Sequence, residues 1–314
     1  GIATRLQQVL DDWNFLSPQL QDLSVTLNQG KARHAFPFEP RQCMAPLPRA
    51  FQWADASAYP AHGADAAATP ADAPPVELGA GDSFLGPCQD AWFGSAGWEI
   101  DFGGGLAVVT GDVDSGASAL QGLDGIRLLL LANRWWLHGL AAAERARGVP
   151  VLQGRPFTAF APVAVTPDEL GGAWQGGRVQ ATLQSSVNGR RVGLNDTGPG
   201  MRWHFGQLVA HLAMTRPVRA GSIVGAGTTR HADAAQGFAC IAERRALEAA
   251  AQGAAATPWL VPGDLVRLDL KGRDGQSVFG AIEQRVAGPQ AEPVADAETA
   301  GAEPPDADKI GRAH

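Results

Sequence analysis

The sequence predicts an α+β fold in which β-strands dominate. From residue 97 onward apolar and polar residues alternate, as in residues 98–102 (WEIDF), which is the two-residue period of a strand with one buried face. Two dipeptides typical of hairpin turns, Asn188-Gly189 and Asp274-Gly275, stand between segments rich in strand-forming residues. The three- and four-residue spacing of an amphipathic helix is found near the start of the chain and at 200–215.

The N-terminal region is predicted to be helical over residues 4–30. Its apolar residues at helical spacing are Leu6, Val9, Leu10, Trp13 and Leu16. Pro18 has no amide hydrogen to donate, so we expect it to divide this region into two short helices. Gly30 is a suitable residue to end the second one. The next distinctive segment, 60–80, consists mainly of Ala, Pro, Asp and Gly and is predicted to be a flexible loop or lid.

The remainder of the chain is predicted to be mostly strands. Residues 106–110 (LAVVT) are typical of a buried strand, and 157–165 of another. Residues 119–145 are rich in Leu and Ala and indicate either a helix or a strand that turns into one. The tail after residue 288 is acidic and nearly free of large apolar residues, which predicts disorder. No internal repeat is found.

These patterns predict three regions: an N-terminal helical segment at 1–45, a β-rich domain at 46–287 and a disordered acidic tail at 288–314. The chain begins with Gly1 instead of Met, directly in a predicted helix, so we expect a truncated N-terminus. Residues 310–314 (IGRAH) are similar to a translated sequencing adapter, so the natural C-terminus is also expected to be missing.

Composition excludes several classes of function. The net charge of −7 offers no basic surface, so no nucleic-acid partner is expected. The longest apolar runs are far shorter than the roughly 20 residues that span a bilayer, so no membrane partner is expected either. The three cysteines show no C-x-x-C pairing, which argues against a disulfide framework or a zinc site and favours the cytoplasm.

Common catalytic motifs are absent from the sequence. It contains no G-x-S-x-G elbow, no P-loop and no dinucleotide-binding fingerprint after a strand. The glycine cluster at 103–105 interrupts a strand and does not open a helix, so it does not predict a phosphate site. His204 and His211 lie seven residues apart, about 10.5 Å along a helix, so one metal ion cannot bind both. Two partly buried structural histidines are the simpler interpretation.

Several ordered stretches resemble the fumarylacetoacetate hydrolase family, in particular a bacterial branch of it. They are residues 29–38 (QGKARHAFPF), 43–58 (CMAPLPRAFQWADASA), 82–87 (DSFLGP), 107–113 (AVVTGDV), 158–170 (TAFAPVAVTPDEL), 204–211 (HFGQLVAH), 219–228 (RAGSIVGAGT) and 240–244 (CIAER). The resemblance extends from about residue 1 to 287. It implies a β-roll of mixed sheets with a short helical N-terminal segment, and a homodimer.

The resemblance also implies a chemistry. Family members hydrolyse C–C bonds of β-diketone or acylpyruvate substrates in aromatic or tyrosine catabolism, with Mg²⁺ or Ca²⁺ as a Lewis acid. By position, Asp55 matches the first metal carboxylate, His62 the histidine that activates water, and Glu243 the glutamate that orients it. Thr228 matches a threonine that contacts the substrate, and Arg155 takes the place of the active-site lysine, so both are candidate substrate-binding residues.

Other positions depart from the family pattern. The family's Glu-x-Glu pair corresponds to Gly103 and Gly105, and its Asn-Asp pair to Asn133-Arg134. A family arginine corresponds to His138. Three of four carboxylates are therefore missing and one has become a cation, which predicts very weak binding of a divalent ion or none.

Four interpretations of these departures remain open. In the first, the chain is still an enzyme whose metal is bound by ligands at other positions. Glu99-x-Asp101 could replace the missing pair only after a register slip of four residues. Alternatively, the chain is a non-catalytic relative that binds a small 2-oxo acid or dicarboxylate through Arg134 and Arg155, since arginine binds carboxylates bidentately. A non-catalytic chain that dimerises with an active partner is the third. The fourth is a decayed or erroneous reading frame.

Overall fold

The computed structural model describes residues 1–60, 72–231 and 233–289. In these ranges the helices are α1 (Leu6–Asp11), α2 (Trp13–Asn28), α3 (Ala119–Asp124), α4 (His138–Ala146), α5 (Phe205–Leu212) and α6 (Ile241–Gln252). The strands are β1 (Trp53–Ala56), β2 (Val76–Gly79), β3 (Ala91–Trp92), β4 (Ile100–Asp101), β5 (Gly104–Thr110), β6 (Ile126–Arg134), β7 (Trp136–Leu137), β8 (Thr158–Phe160), β9 (Trp174–Gln175), β10 (Arg178–Val179), β11 (Thr182–Val187), β12 (Arg190–Asp196), β13 (Ile223–Gly225), β14 (Leu265–Lys271) and β15 (Ile282–Ala287). None of these helices is long and apolar enough to cross a membrane.

Two mixed sheets form the body of the fold. The larger has six strands in the order β2-β1-β13-β5-β6-β8, and the pair β1–β13 is parallel while the other pairs are antiparallel. The second has the order β12-β11-β14-β15-β3, with a parallel pair β15–β3. Two small antiparallel pairs, β9–β10 and β4–β7, complete the strands. The predicted β-dominant fold of mixed sheets with a short helical N-terminal segment is confirmed.

The six-stranded sheet is buried on both faces. Leu106 and Val108 of β5 pack in the main core together with Leu183 and Leu268 of the five-stranded sheet. Ala107 and Val109, which alternate with them, belong to a second cluster on the opposite face. Members of that cluster from the N-terminal half include Leu10, Leu47, Trp53 and Phe84. A strand buried on both sides has apolar residues on both faces, which explains why residues 106–109 of the buried strand predicted at 106–110 are all apolar.

The N-terminal region forms two helices, but Pro18 does not divide them. The break lies at Asp12, whose φ and ψ of −130° and 49° are not helical, and Pro18 lies inside α2. Because Pro18 is near the start of α2, it removes only one backbone hydrogen bond early in the helix. Gly30, with φ of 68°, follows the last residues of α2 and ends the helix as predicted.

Two other predicted segments require correction. Residues 76–79 of the predicted 60–80 loop form β2, which pairs antiparallel with β1, while residues 61–71 lie outside the described ranges. The 119–145 segment is not one helix but contains α3, β6, β7 and the start of α4, so the strand that turns into a helix was the better alternative. In both cases the conformation is determined by pairing with a neighbouring strand, and local composition does not predict that pairing.

The strand predicted over 98–102 is interrupted. Residues Ala96–Trp98 form a single 3₁₀ turn, and Glu99 adopts a left-handed φ of 60° before β4 begins. The helix predicted at 200–215 is shorter than expected and is α5, and the strand predicted at 157–165 is β8. The first hairpin is confirmed: Asn188 and Gly189, with φ of 51° and 74°, join β11 to β12. Asp274-Gly275 lies in the tight turn after β14 that brings Ser277 beside Lys271.

Candidate functional site

A cavity of about 320 Å³ lies where the ends of several strands meet the first turns of α4 and α6. β4 and β6, the loop after β13 and the start of α6 all contribute residues to its lining. The lining residues are Ser57, Tyr59, Pro75, Glu77, Asp101, Arg134, Trp136, His138, Arg145, Thr228, Arg230, Cys240 and Ala242. Three arginines and two carboxylates among them make the cavity strongly polar.

At one wall of the cavity two arginines, Arg134 and Arg155, share a buried carboxylate. Asp55 on β1 is 4% exposed, and its Oδ2 accepts hydrogen bonds from Nη1 of Arg134 and, at 2.9 Å, from Nη2 of Arg155. Nη2 of Arg134 donates to Oγ1 of Thr228, and Nη1 of Arg155 donates to Oε2 of Glu77 at 2.9 Å. Two cations thus balance two carboxylates. Among the described residues, Oδ1 of Asp55 has no hydrogen-bond donor.

A stack of aromatic rings forms the next part of the wall. The imidazole of His138, the first residue of α4, lies between the indoles of Trp136 and Trp259, with ring centroids 5.9 Å and 4.7 Å away. Its Nε2 is 3.0 Å from Oδ2 of Asp101. Asp101 also accepts hydrogen bonds from the backbone N–H groups of Ile241 and Ala242, at 2.7 Å and 2.9 Å, so it fixes the first turn of α6.

Glu243 lies one residue further along the first turn of α6 and is 5% exposed. Burial raises the pKa of its carboxyl from the ordinary 4.5 to about 7, while the charge of Arg230 lowers it and that of Asp101 raises it. Glu243 therefore changes protonation near neutral pH. Burial likewise lowers the pKa of His204, the residue that precedes α5.

Replacing Glu243 by glutamine is expected to make the protein more stable above neutral pH. Below about pH 4.5 the carboxyl is protonated in both states, and as the pH rises the unfolded chain ionises first. The free energy of unfolding therefore falls until the folded carboxyl ionises near pH 7, by at most about 3 kcal/mol. Urea denaturation at pH 5 and pH 8 should show this loss in the wild type and not in Glu243→Gln. Glu169→Gln, at an exposed position, is the control. If the free energy of unfolding of Glu243→Gln falls between pH 5 and pH 8 as much as that of the wild type, the raised pKa does not belong to Glu243.

Sequence comparison identifies the family. The profile described as fumarylacetoacetate (FAA) hydrolase C-terminal matches residues 52–287. The chain belongs to the fumarylacetoacetate hydrolase family. A second profile, fumarylacetoacetase N-terminal domain 2, matches residues 1–49. None of the curated protein sequences compared with the chain matches it.

Solved structures of fumarylacetoacetate hydrolase family type and related isomerases share the fold. A probable 2-hydroxyhepta-2,4-diene-1,7-dioate isomerase from Mycobacterium abscessus is similar at 18% identity and a TM-score of 0.65, over 90% of this chain and 89% of that one. A putative HpcE protein from Mycobacterium smegmatis matches at 18% identity and a TM-score of 0.67, over 90% and 88%. A putative fumarylpyruvate hydrolase from Burkholderia cenocepacia matches at 14% and 0.57, over 82% and 99%.

The described residues do not fit the divalent cation that this family generally uses. They include no group of three or more His, Cys, Asp or Glu side chains placed to hold a metal ion. Asp55 has one oxygen without a donor, but its other oxygen is bound by two guanidinium groups, which repel a cation. A side chain at Gly105 is also sterically excluded, because even a Cβ there would overlap the carbonyl oxygen of Gly227.

The structure brings most of the predicted site residues to one region. Thr228 lines the cavity, and Asp55 and Arg155 lie directly behind it in one hydrogen-bonded cluster. Glu243 lies on the first turn of α6, beside the lining residue Ala242. His62 lies outside the described residues. The roles of these five residues in substrate and metal binding stay predictions.

Sequence reasoning missed several residues of the cavity. Glu77 belonged to the segment predicted as a loop, and Arg145 and Arg230 matched no motif quoted from the sequence. Trp259, which stacks on the lining residue His138 without lining the cavity itself, matched none either. Asp101 was considered only as a substitute metal ligand; it instead holds α6 and His138. The pair Trp136 and His138 at alternate positions was the one local signal of an aromatic wall.

Proposed function

We propose that this chain binds a small carboxylate, either a 2-oxo acid or a dicarboxylate, in the cavity without a divalent cation. The observation that carries this proposal is the position of Arg134. Its guanidinium group lies between Asp55 and Thr228, two residues that the resemblance assigns to the metal and the substrate. A guanidinium group there supplies positive charge and N–H donors for a bound anion without an added ion, and its pairing with Asp55 offsets part of that charge.

Two further arginines are available to the ligand. Arg145 and Arg230 line the cavity, and neither forms an ion pair with a described residue. Arg145 lies over the ring of Trp136 at 5.8 Å, and Nη1 of Arg230 donates to the carbonyl oxygen of Pro60 at 3.4 Å. Arg134 and Arg155, by contrast, already pair with Asp55. We therefore assign direct contact with the carboxylate to Arg145 and Arg230, with Arg134 supporting them from the wall.

The similar structures support the chemical class of the ligand. The names of two of them, a 2-hydroxyhepta-2,4-diene-1,7-dioate isomerase and a fumarylpyruvate hydrolase, both denote small organic acids as substrates. Metal-dependent hydrolysis of a C–C bond, which the family resemblance implies, is the competing function. It requires a cation that the donor set described above does not fit, and a metal titration separates the two.

The test is calorimetric titration of the purified chain with pyruvate, fumarate and acetoacetate, each in EDTA and again in Mg²⁺, Mn²⁺ or Ca²⁺. We expect binding of at least one acid in EDTA, with an affinity that the cations leave unchanged. Arg145→Ala and Arg230→Ala should each weaken it about tenfold or more, because each loses a charge-assisted hydrogen bond. Arg147→Ala, two residues further along the chain at the C-cap of α4 and outside the cavity lining, is the matched control.

Two outcomes contradict the proposal. Absence of binding to all three acids at millimolar concentration removes it. Binding that appears only with Mg²⁺, Mn²⁺ or Ca²⁺, together with a cation-dependent rise in melting temperature, supports the metal-dependent hydrolase instead.

A further inference from the structure

The His138–Asp101 pair is a candidate acid–base site on the wall of the same cavity. His138 lines the cavity, its side chain is 24% exposed, and its Nε2 lies 3.0 Å from a carboxylate that is 1% exposed. We propose that His138 is a catalytic residue that removes a proton from the carbon beside the carbonyl group of a 2-oxo acid, and that Asp101 positions it. This inference rests on the proposed binding of such an acid in the cavity.

Asp101 determines which ring nitrogen of His138 is available. Its two carboxylate oxygens accept the N–H groups of Ile241 and Ala242, so the carboxylate is held by the first turn of α6 and cannot rotate freely. An ionised carboxylate accepts a hydrogen bond and cannot donate one, so the imidazole donates its Nε2 hydrogen to it. The neutral ring then keeps a lone pair on Nδ1, which is the atom that takes up the proton.

The neighbouring rings fix the imidazole and stabilise its charged form. Trp136 and Trp259 lie nearly parallel to it, at interplanar angles of 12° and 24°, and so restrict its rotation. The faces of the two indoles attract the imidazolium that forms after proton transfer, as does Asp101. Two arginines repel the imidazolium. The guanidinium carbon of Arg145 lies 5.8 Å from the ring centroid of Trp136, and that of Arg245 lies 4.4 Å from the ring centroid of Trp259, so each contacts an indole and not the imidazole.

The reaction is keto–enol tautomerisation and needs no co-reactant. A C–H bond beside the carbonyl breaks, its proton goes to Nδ1, and its electron pair forms the C=C bond of an enolate whose charge rests on the carbonyl oxygen. Arg134 and Arg230 line the same cavity and are the cations that would stabilise the charge on that oxygen. The proton then returns from His138 either to oxygen, which gives the enol, or to carbon, which exchanges the hydrogen with solvent.

The probe is pyruvate in D₂O, with loss of its methyl proton signal followed by nuclear magnetic resonance. We expect the wild type to exchange these protons faster than buffer, and His138→Gln to lose about 100-fold or more of that excess rate. A glutamine amide can still donate to Asp101 between the two indoles, so this variant keeps the wall while removing the base. In His138→Ala, added imidazole should restore exchange. His211→Ala, outside the cavity lining, should exchange at the wild-type rate.

The positioning role of Asp101 has its own test. Asp101→Asn should lower the rate constant of exchange while leaving the Kd for pyruvate unchanged. If pyruvate binds but the wild type does not accelerate exchange, or His138→Gln exchanges at the wild-type rate, the His138 inference is overturned and the proposed carboxylate binding stands. If none of pyruvate, fumarate and acetoacetate binds, both are overturned.

Discussion

Replacing Arg134 by methionine is expected to lower the free energy of unfolding by about 3–5 kcal/mol. Asp55 is 4% exposed, and one of its oxygens already lacks a donor among the described residues. Without Arg134 its other oxygen keeps only Arg155, which is itself shared with Glu77. A buried carboxylate that loses half of its compensating charge is far more costly than the loss of an exposed ion pair. Equilibrium urea denaturation measures the difference.

Arg267→Met is the matched control for this prediction. Arg267 also contacts two carboxylates, those of Asp269 and Glu283, but its side chain is 46% exposed, so we expect a change within about 1 kcal/mol. In the double variant Asp55→Ala with Arg134→Met, most of the loss due to Arg134 should disappear, because the unpaired carboxylate is gone. Equal effects of Arg134→Met and Arg267→Met would refute the buried cluster.

The part of the fold that was predictable from sequence is the part set by local pattern. The strand at 106–110, the N-terminal helices and the Asn188-Gly189 turn follow from periodicity and from the conformational freedom of Asn and Gly. Strand β2 was missed because its residues are half-buried or exposed and its conformation comes from pairing with β1. Such an edge strand carries little periodicity of its own.

The candidate site was predictable only where the family resemblance supplied a position. Asp55, Thr228 and Arg155 come from three distant segments, and only the resemblance placed them together. In the structure Arg134 joins Asp55 to Thr228, and Arg155 donates directly to Asp55. The aromatic stack had no such template. Trp136 and Trp259 are 123 positions apart by their numbers, and they meet at His138 only because Leu260 pairs with Ile100 of β4. Contacts of this kind depend on the tertiary fold and leave no local signal.

Replacing Gly105 by alanine is expected to destabilise the protein by about 3 kcal/mol or more. A Cβ at this position would overlap the carbonyl oxygen of Gly227, which is backbone and cannot rotate away. Gly227, in the loop after β13, has φ of 84°, and a Cβ there would overlap the carbonyl oxygen of Ala56 on β1. The loop therefore cannot move away from β5 to make room for a side chain at Gly105. Gly172→Ala, where no atom lies within 4 Å of the added Cβ, is the matched control and should change stability little.

The same steric argument bears on metal binding. By resemblance Gly105 stands where the family has a carboxylate ligand, so Gly105→Glu is the direct attempt to restore one. We expect this variant to be at least as unstable as Gly105→Ala. Its melting temperature should not rise with Mg²⁺, because the backbone at Gly227 occupies the space that a side chain at position 105 would need. A folded Gly105→Glu whose melting temperature rises with Mg²⁺ would mean that the cavity still accommodates a cation, and metal-dependent hydrolysis would then be the better proposal.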